Sequence, residues 1–168
     1  TIPDDVKVHY VSQDPSAKYG TAVPIALAVE EFRIDEPVLV FMGDDFIWNP
    51  GGESAAEALV KASNGSESAI LGVEIPQENV AKYGVLSAKD GRLVNVVEKP
   101  DPKDAPSNLI NVSKYVMSPE LLQKIVTYVH ENNFGPLEQE YMITDPIDDY
   151  ISSGGVMKVA PTSGEYLD

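Results

Sequence analysis

The chain has 168 residues, 43% hydrophobic and 23% charged, which fits one ordered globular domain. Its net charge of −15, with Arg33 and Arg92 as the only arginines, excludes ordinary phosphate-backbone binding to nucleic acid, where affinity comes from Lys and Arg. The absence of cysteine excludes disulfides, thiolate catalysis and cysteine-held metals.

Residues 6–11 alternate Val6, Val8 and Tyr10 with Lys7 and His9, which predicts a strand. The alanine-rich run 21–32 predicts a helix, with Pro24 tolerated in its first turn. The apolar run 38–42 predicts a strand buried on both faces, ending at Gly43-Asp44-Asp45. A helix near 53–62 follows the Pro50-Gly51-Gly52 break, and 69–75 predicts another apolar strand. Strand, helix, strand, helix, strand argues for a parallel α/β sheet. Beyond it, 85–89 and 92–98 flank Asp90-Gly91, a two-residue hairpin signal. A proline-rich loop covers 100–108, and 109–117 predicts a strand. Ser118 as N-cap and Pro119 at N1 start a helix with an apolar face of Leu121, Leu122, Ile125, Val126 and Val129. Asp145-Pro146 predicts another helix start, ending near Gly154-Gly155, and 156–159 a short last strand.

No apolar run approaches the ~20 residues of a membrane span. No charged-then-apolar signal segment opens the sequence, so the expected compartment is the cytoplasm. His9 and His130 lie far apart and offer no local metal pair. Ala-Lys-Tyr-Gly recurs at 17–20 and 81–84, but the match does not extend and is treated as coincidence.

Four segments carry residue types suited to chemistry. A buried parallel strand ending in Asp44 and Asp45 puts carboxylates at the carboxyl edge of the sheet, where open α/β folds bind ligands. Carboxylates there suit Mg²⁺, which takes one or two of them plus phosphate oxygens and water. An ordinary turn cap is the equal alternative. Glu98 and Lys99 end a strand and point to opposite faces. One could accept from sugar hydroxyls while the other neutralises a phosphate, although a plain strand end before Pro100 explains them as well. Gly84, in Lys82-Tyr83-Gly84-Val85, permits close approach of backbone to a ligand. The loop from Gln13 to Gly20 leads into a helix start and suits an anion or the polar edge of a base. A glycine there also serves a plain turn.

In this order and spacing the segments resemble the sugar-nucleotidyltransferase family, in particular the bacterial UTP–glucose-1-phosphate uridylyltransferases. The family's glutamine-to-glycine loop is similar to Gln13 through Gly20 with Thr21-Ala22-Val23 behind it. Its "L-x-D-D" resembles Met42-Gly43-Asp44-Asp45, and its "Y-G-V" Tyr83-Gly84-Val85. Its "V-V-E-K-P" and "A-P-S-N-L" match Val96 to Pro100 and Ala105 to Leu109. A later "T-D-x-I" matches Thr144 to Ile147, and a glycine-to-aspartate stretch resembles Gly164 to Asp168. Lys18 stands where the family has glycine, and Gly43 where proline is commoner. The family's opening strand and "G-x-G-T-R" loop have no counterpart here.

The resemblance implies a Rossmann-like, glycosyltransferase-A-like α/β fold: a three-layer mixed sheet with helices on both faces, incomplete at the N-terminus. Residues 1–168 would then form one partial nucleotidyltransferase core domain, without the family's N-terminal strand, glycine-rich loop and C-terminal segment. It implies Mg²⁺ held by Asp44 and Asp168, the glucose ring at Glu98 and Gly84, the sugar phosphate at Lys99, and uracil at Gln13 and Gly20. Asp44 and Lys99 would be the catalytic pair, in transfer of a uridylyl group from UTP to glucose-1-phosphate that gives UDP-glucose and pyrophosphate. With Lys99 as the single identified phosphate cation, little turnover is expected from these residues alone. A sister thymidylyl- or cytidylyltransferase, a non-catalytic sugar-nucleotide-binding or regulatory module, and a plain α/β domain are the competing expectations. Partners are small molecules rather than nucleic acid or membrane. Homo-oligomer formation through an unpaired sheet edge is also expected.

Overall fold

The computed structural model describes residues 3, 5–14, 18–134 and 139–167. Its helices are α1 (Val23–Phe32), α2 (Ala55–Ser63), α3 (Pro119–Glu131) and α4 (Thr144–Ser152). The strands are β1 (Val38–Phe41), β2 (Phe46–Trp48), β3 (Ser68–Glu74), β4 (Gly84–Lys89), β5 (Arg92–Glu98), β6 (Leu109–Met117), β7 (Met157–Thr162) and β8 (Glu165–Leu167). A 3-10 turn, Gln77–Lys82, precedes β4.

Local chemistry sets most of these ends. Pro24 lies in the first turn of α1, where its missing N–H costs no helical bond. Ser54 and Glu57 form a reciprocal capping box on α2, with Glu57 N donating to Ser54 Oγ at 3.2 Å and Ser54 N to Glu57 Oε2 at 2.8 Å. Ser118 caps α3 as expected. Asp90 and Gly91 both take positive φ, 52° and 72°, which joins β4 to β5 in the tight hairpin that the pair predicts.

Six strands form one sheet in the order β1-β6-β3-β7-β5-β4, while β2 and β8 pair as a separate ribbon. The sheet is mixed. β3 and β7 run parallel, whereas β6 lies antiparallel between β1 and β3. On one face α1, α3 and α4 bury Val29, Leu121, Ile125 and Ile147 together with Ile70 and Tyr115 of the sheet. On the other face Ala58 and Leu59 of α2 pack on Ala69, Leu71 and Val73. This is the three-layer arrangement with helices on both faces. No helix among the described residues is long and apolar enough to cross a membrane.

Three sequence expectations need correction. The 38–42 run is not buried on both faces: β1 sits at the sheet edge, and Leu39 and Phe41 are exposed on its outer face. The doubly buried strand is β3, whose first six residues are all buried. Residues 6–11 form no strand; Val6, Val8 and Tyr10 are exposed, since an alternating pattern needs a paired neighbour to become a strand. The parallel sheet implied by the alternating elements is instead mixed, because β6 inserts between β1 and β3. The ribbon strands β2 and β8 are additions, and β7 runs on to Thr162, past the expected end.

One relationship positions the site. Along a single edge of β6, β4 pairs at Ile110 and β1 pairs from Lys114 to Met117. The amino end of β4 and the carboxyl end of β1 therefore open toward the same stretch of β6, at 111–113. There β6 bulges: between its Tyr115 and Asn111 pairings it advances four residues while β3 advances two, and Ser113 takes φ 52°.

Candidate active site

The split between β1 and β4 gathers most of the expected residues. Glu98 ends β5 directly opposite Gly84, the first residue of β4. A Cβ on Gly84 would lie 3.1 Å from Glu98 Oε1 and 3.2 Å from Val96 Cγ1, so the glycine is what leaves room for this carboxylate. Glu98 is exposed. Lys99 is also exposed; it adopts φ 45° and its N–H donates to Tyr83 O at 3.0 Å. The left-handed residue turns the chain out of β5 toward Pro100.

Below Glu98 lies Tyr115 of β6, fully buried, whose hydroxyl accepts from Asn111 Nδ2 at 2.9 Å. Burial first, and then the fields of Glu98 and Asp45, push its pKa up to about 12, against hydrogen bonds from Asn111 and Ser113. Tyr115 is thus a neutral phenol within electrostatic reach of both carboxylates. Asp148 of α4 adds a third acid: burial raises its pKa, the Val96 backbone opposes this, and Asp145 and Glu98 reinforce it. One Asp148 oxygen is buried without a hydrogen-bond partner among the described residues.

On the β1 side, the chain leaves Phe41 and Met42 N donates to Ser113 O at 3.1 Å. Asp44 is exposed and Asp45 half-buried. Two residues that the sequence reading missed hold this turn. Lys114, buried in β6, donates to Asp45 O at 2.8 Å and to Val112 O at 3.3 Å. Tyr166 of β8 donates its hydroxyl to Asp45 Oδ1 at 2.5 Å. The Tyr166 ring also meets Tyr83 edge-on, with centroids 5.6 Å apart, which links the turn to the residue before Gly84. Lys114 had a readable signal: it shares period-two parity with Ile110, Val112 and Val116, so a charge was being placed on a core-facing row.

Asp168 lies outside the described residues. Among the described residues no three His, Asp or Glu side chains converge into a preformed metal cage. An exposed Asp44 beside Asp45 still fits Mg²⁺, which takes few protein carboxylates and completes its shell with phosphate oxygens and water.

Gln13 and Gly20 are placed elsewhere. Gln13 donates within its own loop to Lys18 O at 2.9 Å and lines a cavity of about 320 Å³ with Leu27, Val129 and His130. Lys18 caps the end of α3 through Val129 O and Asn132 O. Gly20, at φ 133°, packs on Tyr141, in a clasp where Tyr141 N donates to Tyr19 O at 2.9 Å and Ala22 N to Tyr141 O at 3.0 Å. That clasp sets the entry to α4, and α4 brings Asp148 within electrostatic reach of Glu98, while Asp145 accepts from the Tyr128 hydroxyl at 2.6 Å. Gly20 therefore reaches the split through a helix rather than by direct contact. The apolar cleft between α1 and β1, lined by Ala28, Val38 and Met42, includes none of the expected site residues.

Comparison with known proteins identifies the family and the fold. A sequence model described as nucleotidyl transferase matches residues 3–166. The chain is 29% identical over 153 residues to UTP–glucose-1-phosphate uridylyltransferase 1 of Streptococcus pyogenes serotype M3, covering 85% of this chain and 47% of that protein. Over 97 residues it is 36% identical to the UTP–glucose-1-phosphate uridylyltransferase of Pseudomonas aeruginosa, 54% of this chain and 35% of that protein. Its fold is similar to that of UDP-glucose pyrophosphorylase from Acinetobacter baumannii, with a TM-score of 0.78 and 20% identity over 99% of this chain and 56% of that one. A UDP-glucose pyrophosphorylase complexed with UDP-glucose is 25% identical, with a TM-score of 0.70, over 89% of this chain and 56% of that chain. The chain spans about half the length of the S. pyogenes relative that it matches. The match across 3–166, on a three-layer sheet split at β1 and β4, places the chain in the nucleotidyl transferase family.

Proposed function

We propose that this chain is the core of a UTP–glucose-1-phosphate uridylyltransferase, a cytoplasmic enzyme that joins UTP and glucose-1-phosphate into UDP-glucose with release of pyrophosphate. The observation that carries the reading is the split along β6, where the turn after β1 that holds Asp44 and the Gly84–Glu98 pair flank the same stretch of one strand. Relatives named for this activity support it.

In this reading Glu98 accepts hydrogen bonds from glucose hydroxyls, and the missing side chain at Gly84 lets the sugar lie against the backbone. The Lys99 ammonium neutralises the sugar phosphate. Gln13 and Gly20 belong to the uracil side, reached through the α4 clasp. Asp44 and Asp168 hold Mg²⁺, which when bound neutralises charge on the triphosphate. A phosphate oxygen of glucose-1-phosphate attacks the α-phosphorus of UTP, and pyrophosphate leaves with the electrons of the broken P–O bond. No protein nucleophile takes part. The chain's own contribution is to hold two anionic reactants in line, where orientation supplies much of the rate.

Calorimetry of the chain with UDP-glucose tests the binding half. Glu98→Ala should remove the heat of binding, and an unchanged isotherm would take Glu98 out of the site. Pyrophosphate release by a full-length enzyme carrying this core, with UTP, glucose-1-phosphate and Mg²⁺ and with dTTP and CTP as competitors, tests the chemistry and the choice of base, since little turnover is expected from these residues alone. No release with any of the three nucleotides would reduce the proposal to a binding module.

A further inference from the structure

We propose that Lys114 is the positioning residue of the metal-side turn: its buried side chain clamps the Asp45 carbonyl so that the neighbouring Asp44 carboxylate is held out toward the cleft. The proposal rests on Asp44 being the metal-side carboxylate of the reading above. Three observations lead to it.

Lys114 is only 6% exposed, and a lysine is rarely taken out of water without a local reason. An apolar residue of similar length would pack in β6 at lower cost, since a buried charge loses its hydration. The reason must then lie in what the amine touches. Two of its donors go to Asp45 O at 2.8 Å and Val112 O at 3.3 Å, and it stands 6.0 Å from the centre of the Phe41 ring. The contact to Asp45 bridges 69 residues of sequence, so it fixes the turn against the sheet rather than within itself.

The turn has few other tethers. Between Phe41 and Phe46 the backbone is held by Met42 N on Ser113 O, and Asp45 by the Tyr166 hydroxyl on its carboxylate. The Asp44 carboxylate accepts no hydrogen bond among the described residues, and Lys114 is the charge it feels. The orientation of its side chain therefore depends on how firmly its neighbours on either side are anchored. Lys114 anchors the backbone of one of them.

Charge supports the same assignment. Burial pulls the Lys114 pKa down, while Asp45 and then Asp44 pull it back up. The amine is the local counter-charge of two adjacent carboxylates, in a chain of net charge −15. Without it, two like charges would push the turn open. Lysine does this as a point charge with several donors, a task that arginine can share but a neutral residue cannot.

The test compares the wild-type chain with K114M, which keeps length and packing, and with K114R. Hydrogen–deuterium exchange at residues 43–46 reads the clamp, with β3 amides as the control for the fold. Exchange there should rise about tenfold in K114M and return in K114R, while β3 stays protected. Paramagnetic broadening by Mn²⁺ at the amides of residues 43–46 reads the consequence for the metal. K114M should need about tenfold more Mn²⁺, the usual scale for losing a residue that orients a ligand, and K114R should restore the titration. A folded K114M with wild-type exchange at 43–46 overturns the proposal. D44N separates the two ideas: if it leaves Mn²⁺ broadening unchanged, Asp44 is not the ligand, and the exchange result alone then decides whether Lys114 holds the turn.

Discussion

The Tyr166 hydroxyl donates to Asp45 Oδ1 at 2.5 Å across 121 residues of sequence, and this bond closes the β2–β8 ribbon onto the turn that follows β1. A hydrogen bond to an ionised acceptor contributes about 1.5–3 kcal/mol. Tyr166→Phe keeps the ring contact with Tyr83 and removes only the hydroxyl. Stability in urea should fall by about 1–2 kcal/mol, the half-buried setting lowering the yield. Trp48, the single tryptophan, lies in β2 opposite Glu165 and reports the ribbon directly. An unchanged midpoint by Trp48 fluorescence would show that the bond contributes nothing.

Gly84 and Glu98 make a second test, of geometry rather than stability. An added Cβ would sit 3.1 Å from Glu98 Oε1, closer than side chains ordinarily tolerate, and Gly84 needs no positive φ. Gly84→Ala therefore displaces the carboxylate without straining the backbone. UDP-glucose affinity should drop about tenfold, which is about 1.4 kcal/mol. Stability should change by about 1 kcal/mol or less, since Glu98 can swing into solvent. Equal losses of affinity and stability, measured by calorimetry and urea titration, would count against a specific effect on the sugar site.

How much of this was legible depends on what fixes each feature. The hairpin, the start of α3 and β3 could be read because their causes are local: Asp90-Gly91 at positive φ, Ser118 with Pro119, and a largely apolar run. The run at 38–41 misled because apolar composition does not report how many neighbours a strand has, and β1 has β6 on one side only. The three-residue strands β2 and β8 are too short to show a period. Asp44, Gly84 and Glu98 could be read from strand ends. Lys114 and Tyr166 could not be assigned roles, because their partner Asp45 is brought to them by tertiary register.

Asp148 makes stability depend on pH. Burial raises its pKa in the folded chain, so over the acid range above the ordinary carboxylate value the folded state binds more protons than the unfolded state. Stability contributed by this group is therefore present at low pH and is lost as pH rises through that window. At neutral pH the buried charge is a net cost, with one oxygen lacking a partner. Asp148→Asn should raise the urea midpoint at pH 7.5, a pH chosen about three units or more above the reference value. The gain should shrink as pH is lowered into the carboxylate range. A gain that persists unchanged at low pH would point to packing rather than charge.

Gly20 separates folding from nucleotide contact. At φ 133° it lies in a region that side chains avoid, and a Cβ there would be 2.5 Å from Tyr141 N and 2.6 Å from Tyr141 O. Backbone atoms cannot swing aside as Glu98 can. The clasp between 19–22 and 141–143 must open instead, with loss of Tyr141 N on Tyr19 O, Ala22 N on Tyr141 O and Ile143 N on Thr21 Oγ1. Gly20→Ala should thus cost about 3 kcal/mol or more without any nucleotide present. Thr21→Val removes just the last of these bonds and should cost about 1–2 kcal/mol. Urea titrations of both variants give the comparison. If Gly20→Ala is as stable as wild type yet binds UTP less well, Gly20 is a nucleotide contact and the clasp is not what its conformation serves.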